Sequence, residues 1–350
     1  METGAIRVRT LLWASLVLVP AALIAEFLGV DDTVLFILSA LALMPLAWLI
    51  GEATEQLGEH VGPAIAGLLN ASFGNAPELI ISLFAISEGL FEVVRGSLVG
   101  SVIGNLLLVL GCSLAVGGEG KIGKRTALES LSMVALALLL FGLSSAVGYG
   151  EAGGATLFWA TSILAAVVLL CVYVVATARS MMREYREKRE SGETGQAAWS
   201  LPITLMALGA ATLATVGVSQ ELTSSIKAFS ASVGWSDLFV AIVVVAIAGN
   251  AAEHGGAVVI AAKGNVRLAA EIGLQSSAQV AVGLIPVVLL LSLVINPLAL
   301  VFAPAELLGM AVATVLPAAL LYRGVSSRAR GLVLCGAYLG LVVMYFVLTA

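Results

Sequence analysis

Apolar runs of about 20 residues, the length that crosses a hydrocarbon core of roughly 30 Å, recur along the whole chain with only short polar breaks. Eleven can be marked, at about 11–29, 34–51, 61–87, 96–117, 127–148, 154–178, 201–220, 236–262, 268–293, 298–322 and 331–349. Within them the periodicity is helical or absent, and nothing alternates as the strands of a membrane barrel would. The pattern predicts an all-α integral membrane protein of about 11 transmembrane helices. Composition agrees: of 350 residues, 60% are hydrophobic and 11% charged, and the mean hydropathy of +1.07 is far from that of a soluble domain.

The polar breaks alternate in charge. With the N-terminus cytoplasmic, the inner segments hold Arg7 and Arg9; Lys121, Lys124 and Arg125; the Arg179–Arg189 run; Lys263 and Arg267; and Arg323, Arg328 and Arg330. Only Arg95 and Lys227 of the 17 Lys and Arg then fall outside. Positive charge concentrates on the cytoplasmic side, so the expectation is N-terminus in and C-terminus out, in a plasma (inner) membrane. Residues 7–27 also fit a cleaved signal peptide, a reading that leaves the remaining topology unchanged. Cys112, Cys171 and Cys335 all lie in apolar spans and are odd in number, so no disulfide framework is implied and packing is their expected role.

The two halves repeat each other. "GNAPE" at 74–78 returns as "GNAAE" at 249–253, an offset of 175 residues, and Ser101 and Ser276 follow the two glutamates at that same offset. An amide lies beyond each serine, Asn105 at i+4 and Gln279 at i+3, spacings that share one helix face. On the charge-derived topology the two copies run in opposite directions through the membrane. Inverted repeats of this kind build secondary transporters, with the binding site near the midplane where the repeats meet. The predicted organisation is one leading helix (1–33), a first five-helix repeat (34–178), a polar cytoplasmic linker (179–199) and a second five-helix repeat (200–350).

A carboxylate at the middle of a membrane helix costs about 2.5–3.5 kcal/mol on insertion scales, so Glu78 and Glu253 call for a functional reason. Gly74, Pro77 and Gly249 mark points where the helices can break, freeing backbone carbonyls and helix ends toward an ion. Asn75 and Asn250, three residues before each glutamate, add neutral oxygens, and Ser101, Asn105, Ser276 and Gln279 add more from neighbouring spans. An all-oxygen set with two carboxylates favours a hard cation, and Ca2+ above Mg2+, which sheds water reluctantly. Once the cation leaves, burial and mutual repulsion favour protonation of the pair, so cation and proton compete for one site. One such glutamate alone could serve as a helix-end cap; duplication with matched partners argues against that role.

At these motifs the chain resembles the cation/proton exchanger family of the Ca2+:cation antiporter superfamily. "GNAPELI" is similar to its first repeat signature and "GNAAEH" (249–254) to its second, with "GSVIGNLLLVLG" (100–111) and "SSAQVAV" (276–282) similar to the segments that follow. The resemblance implies that Glu78 and Glu253 ligate the ion, with Asn75, Asn250, Ser101, Asn105, Ser276 and Gln279 as the wider polar set. It also implies that Glu55 of "GEATEQL" (51–57) serves an access or proton path, with Glu221 as its counterpart. Pro77 stands where threonine is commoner in that family, and a proline there is shared with the sodium/calcium branch, so the counter-ion stays open between H+ and Na+. The mixed charge of 179–199 departs from the acidic helix common in relatives.

His254 stands beside the ion rather than on it, either in a proton-linked role or a structural one. His60, in a predicted loop with Glu52, Glu55 and Glu59, belongs either to a solvated face or to an acidic funnel for cations. The expected function is thus a secondary antiporter, not an enzyme, exporting Ca2+ for H+ by alternating access, with a Na+/Ca2+ exchanger or a broader divalent-cation/H+ antiporter as alternatives. An intramembrane hydrolase lacks its H-E-x-x-H or G-x-S-x-G motif, and a passive channel would carry flux without proton movement. No cofactor and no nucleic-acid partner is expected; the partners are Ca2+, H+ and the bilayer, and the oligomeric state is left open.

Overall fold

A computed structural model describes residues 10–62, 65–66, 69, 72–148, 154–191 and 197–349. Among them, nine helices are long and apolar enough to cross a membrane. They are α1 (Thr10–Phe27), α2 (Asp32–Val61), α4 (Phe91–Gly117), α5 (Lys124–Gly148), α6 (Gly154–Ser191), α7 (Leu201–Val233), α10 (Val266–Ile295), α11 (Pro304–Leu321) and α12 (Arg328–Thr349). Between them lie the short apolar α3 (Ala76–Ser87) and a pair, α8 (Asp237–Gly249) and α9 (Ala251–Ala262), bent by 61° where they meet. Parts of the expected third span, residues 63–64, 67–68 and 70–71, lie outside the described residues.

The order of elements repeats. Each half has a long helix (α2, α7), then a helix that starts anew at an asparagine of the motif (α3 at Asn75, α9 at Asn250), then a helix carrying a π-helical stretch (α4, α10), then two more helices. The equivalent helices α2 and α7 pack side by side over much of their length. Phe36 near the start of α2 stacks on Phe229 near the end of α7, with centroids 4.3 Å apart. The two therefore run in opposite directions, and the second repeat is inverted relative to the first.

The halves interlock where small residues let backbones approach. Gly100 of α4 is pressed against the Ile242 carbonyl of α8, and a Cβ on Gly96, one turn earlier, would stand 2.8 Å from the Ala241 Cβ. One departure from an all-α chain is a two-residue antiparallel pair, β1 (Gly120–Lys121) with β2 (Val325–Ser326). It joins two loops that the charge pattern assigns to the same inner side, because the last residues of α4 and the first of α12 emerge side by side there.

Two segments are more helical than their polarity suggests. The "GEH" region expected as a loop is the last turn of α2, continued through Glu, Ala, Gln and Leu, which all favour helix. The polar linker likewise continues α6 as far as Ser191; residues 192–196 of that linker lie outside the described residues. Where the chain resumes, it is pinned to α2: Ala198 N and Trp199 N donate to Gln56 Oε1 (2.7 and 3.2 Å), and His60 Nε2 hydrogen-bonds the Trp199 carbonyl at 2.8 Å. Trp13 of α1 completes the cluster, its ring 5.3 Å from Trp48 and 6.1 Å from Trp199.

Candidate functional site

Glu78 sits in the first turn of α3, with Pro77 ahead of it at a position where a missing N–H costs nothing. Asn75 is the N-cap residue of α3, yet its side chain makes no cap bond and donates instead to Gln279 Oε1 of the other half at 3.4 Å. Glu253 occupies the first turn of α9, after the break at Asn250. Both carboxylates thus lie at helix N-termini, where the positive end of the helix dipole favours negative charge.

The two motifs touch. A Cβ on Gly249 would stand 3.2 Å from Glu78 Cγ and 3.5 Å from its Cδ, so the absence of a side chain there is what admits Glu78. Glu253 is near enough for its charge to act on Glu78. From α10, Ser276 donates a short hydrogen bond to Glu253 Oε2. Asn105 of α4 donates to Ser276 Oγ (2.9 Å) and to Asn250 Oδ1 (3.3 Å). Asn250 in turn donates to Ser101 Oγ at 2.8 Å and to the Ala246 carbonyl at 2.9 Å. Glu253, Ser276, Asn105, Asn250 and Ser101 therefore form one hydrogen-bonded chain that crosses between the halves.

Several acceptors in this cluster are left over. Glu78 Oε2, Asn75 Oδ1 and Asn105 Oδ1 are buried without a hydrogen-bond partner, an arrangement proteins avoid unless something else binds there. Among the described residues no group of three or more His, Cys, Asp or Glu is placed to hold a metal ion by itself. The donor set is two carboxylates with amide and hydroxyl oxygens, which suits a hard cation and gives a soft metal nothing to hold.

A cavity of about 1270 Å3 reaches this cluster. Gly74, Gly249, Glu253, Ser276 and Gln279 line it where it meets the cluster, and Glu52, Glu55, Glu59, Arg125, Glu129 and Arg179 line it toward the helix ends that the charge pattern assigns to the inner face. Glu78 does not line it and is 5% exposed. The Glu52, Glu55 and Glu59 group is therefore the acidic wall of a cavity rather than a free surface.

Other predicted residues are placed elsewhere. His254 lies against α4, its ring carbon 3.8 Å from the Cβ position of Gly104, and its Nε2 is buried without a partner. Glu221 does not meet the cavity; it is buried on α7, where its side chain meets Glu26 of α1. Measured along the antiparallel pair from the Phe36–Phe229 stack, Glu221 and Glu55 are separated by about 16 Å at 1.5 Å per residue. Sequence reasoning passed over Glu129 and Tyr173, which line the same cavity; a charge and a phenol on otherwise apolar spans were the available signals. It also passed over Glu306, which is 0% exposed and pairs with Arg95 at 3.4 Å.

A family model for the sodium/calcium exchanger protein matches residues 32–182 and 203–347. The Ca2+/H+ antiporter ChaA of Bacillus subtilis (strain 168) is 35% identical over 344 residues, covering 94% of this chain and 97% of that protein. A Ca2+/H+ antiporter of Synechocystis sp. (strain ATCC 27184 / PCC 6803 / Kazusa) is 34% identical over 355 residues, with 95% of each covered. Among solved structures, native YfkE superposes with a TM-score of 0.81 at 32% identity, over 94% of this chain and 97% of that one.

Proposed function

Since the chain belongs to the sodium/calcium exchanger protein family, whose named relatives are transporters and not enzymes, we propose that it is a secondary antiporter exchanging cytoplasmic Ca2+ for H+ at the Glu78–Glu253 site. The observation that carries this reading is the duplicated Asn-x-x-Glu motif meeting its inverted copy, with three unpartnered oxygens gathered at the junction. Ca2+ neutralises two carboxylates that are costly to leave charged in a dry site, and Asn75, Asn105, Asn250 and the serines offer neutral oxygens to complete six to eight ligands.

The proposed cycle starts from the cavity. Its acidic wall concentrates cations, and Glu253, which lines the cavity, meets them before Glu78 does. Binding requires Ser276 to release Glu253 Oε2 and the Asn105 amide to turn its unpartnered oxygen inward. When the cation leaves toward the other side, the same carboxylates take up protons, because two buried negative charges repel. Return of the protonated site to the cavity side completes alternating access, with the inverted halves exchanging roles. Glu55, on the cavity wall, fits an access or proton path; Glu221 is too far from it to share that path.

The test is Ca2+ uptake into everted membrane vesicles driven by an imposed pH gradient, with and without Na+, in the wild type and in Glu78→Gln and Glu253→Gln. Uptake without Na+, lost in both variants while each still inserts in the membrane, is the expected outcome. The family description and Pro77 favour one second reading, Na+/Ca2+ exchange, and a strict Na+ requirement would establish it in place of the first.

A further inference from the structure

Cys112 and Cys335 place their sulfurs 3.7 Å apart, one on each half of the molecule. Cys112 is on α4, two turns beyond Asn105; Cys335 is on α12, next to the inner loops joined by β1 and β2. Both are half-buried free thiols. The two helices meet here backbone to backbone: a Cβ on Gly111 would stand 2.8 Å from Cys335 Sγ, and one on Gly331 would stand 2.9 Å from the Ala115 Cα. Glycine contact brings the two helices close enough for the thiols to meet. A disulfide needs about 2.05 Å between sulfurs, and the remaining gap is within reach of side-chain rotation. Packing alone explains one small apolar residue at such a crossing; it does not call for two thiols aligned across the two halves.

We propose that Cys112 and Cys335 are an oxidisable pair whose disulfide ties the two halves together and arrests transport. A peroxide is the oxidant. One thiol gives up its proton and attacks a peroxide oxygen, forming a sulfenic acid and releasing water. The second thiol then attacks that sulfur, expelling a second water and leaving the disulfide; the two electrons removed from the thiols reduce the peroxide. In a reducing cytoplasm such a bond is transient and suited to sensing, and thiol exchange reverses it.

Arrest follows from where the tie lies. α12 packs along the π-helical stretch Gly104–Val109 as well as along the turn that carries Cys112. Asn105, within that stretch, must break two donated hydrogen bonds when the cation arrives. A covalent link just below it removes the freedom of α4 to shift or rotate against α12.

The activity half of this inference rests on the exchanger reading. The full chain, reconstituted in lipid vesicles, is treated with hydrogen peroxide, then divided and half of it reduced with dithiothreitol; Ca2+ uptake is measured and non-reduced peptides are mapped by mass spectrometry. A linked 112–335 peptide, uptake reduced severalfold and restored by dithiothreitol, and uptake in Cys335→Ser that peroxide leaves unchanged are expected. Absence of the linked peptide overturns the proposal, as does a linked peptide with undiminished uptake. A reduced protein that moves no Ca2+ would defeat the exchanger reading instead, and the linked peptide would still decide whether the pair closes.

Discussion

Gly249→Ala puts a methyl group against Glu78. Built on the backbone, its Cβ stands 3.2 Å from Glu78 Cγ, 3.5 Å from Cδ and 3.9 Å from Oε1. Optimal carbon contacts lie at about 3.5–4.0 Å, so the glutamate must retreat by a few tenths of an ångström. No hydrogen bond resists that movement at Oε2. The stability change is small: a helical Gly→Ala gains about 0.5–1 kcal/mol, against an overpacking cost of about 1–3 kcal/mol. Function loses more. If a misplacement of 1 Å costs a reacting or binding group about 100-fold, 0.3–0.5 Å raises the half-saturating Ca2+ concentration by about four- to tenfold. Gly255→Ala, in the helix that follows, meets nothing within 4 Å and is the matched control. The assay is the Ca2+ dependence of uptake in everted vesicles, with thermal denaturation in detergent alongside. Wild-type half-saturation in Gly249→Ala would refute Glu78 as a ligand, and a loss confined to melting temperature would assign the contact to packing alone.

Proton and cation compete for the same carboxylates in the proposed cycle, so lowering the pH on the cation-binding side raises the half-saturating Ca2+ concentration, and raising it lowers that concentration; a half-saturation independent of pH between about 6 and 8 would separate the two ions' sites. Arg95→Met strands Glu306, which is 0% exposed, without its cation. Removing one partner of a buried pair costs about 3 kcal/mol or more, which thermal denaturation should register as a clear drop, and Arg95→Met with Glu306→Gln should recover most of it because no buried charge remains.

The hydrophobic run length made the helices legible, and one exact offset made the inverted duplication legible, because both are properties of the chain read in order. What stayed hidden depends on which surfaces meet. Arg95 and Glu306 are 211 residues apart, so their pairing leaves no local trace, and Arg95 read as a loop charge on the outer side. Glu55 and Glu221 read as counterparts in the two repeats, and only the antiparallel packing of α2 on α7 shows how far apart along the pair they lie. The polar end of α2 read as a loop whose acids belonged to a solvated face or an acidic funnel; it is helical, and the acids line a cavity.

Three π-helical stretches among the described residues, Gly104–Val109, Ala241–Val245 and Val280–Leu284, were wholly unreadable, and the first and last bear on the proposed site. Gly104–Val109 and Val280–Leu284 fall at equivalent places in the two repeats, their last residues separated by the same 175 residues as the glutamates. Their sequences, GNLLLV and VAVGL, share no feature that local propensity would turn into a π-helix. Such stretches are rare and gather at functional sites, since widening one turn re-aims the side chains beside it. Here the widening includes Asn105 and adjoins Gln279, two of the amides that bond across to the opposite repeat. A backbone irregularity that recurs beside an amide at equivalent places of the two repeats supports the proposed site in both halves.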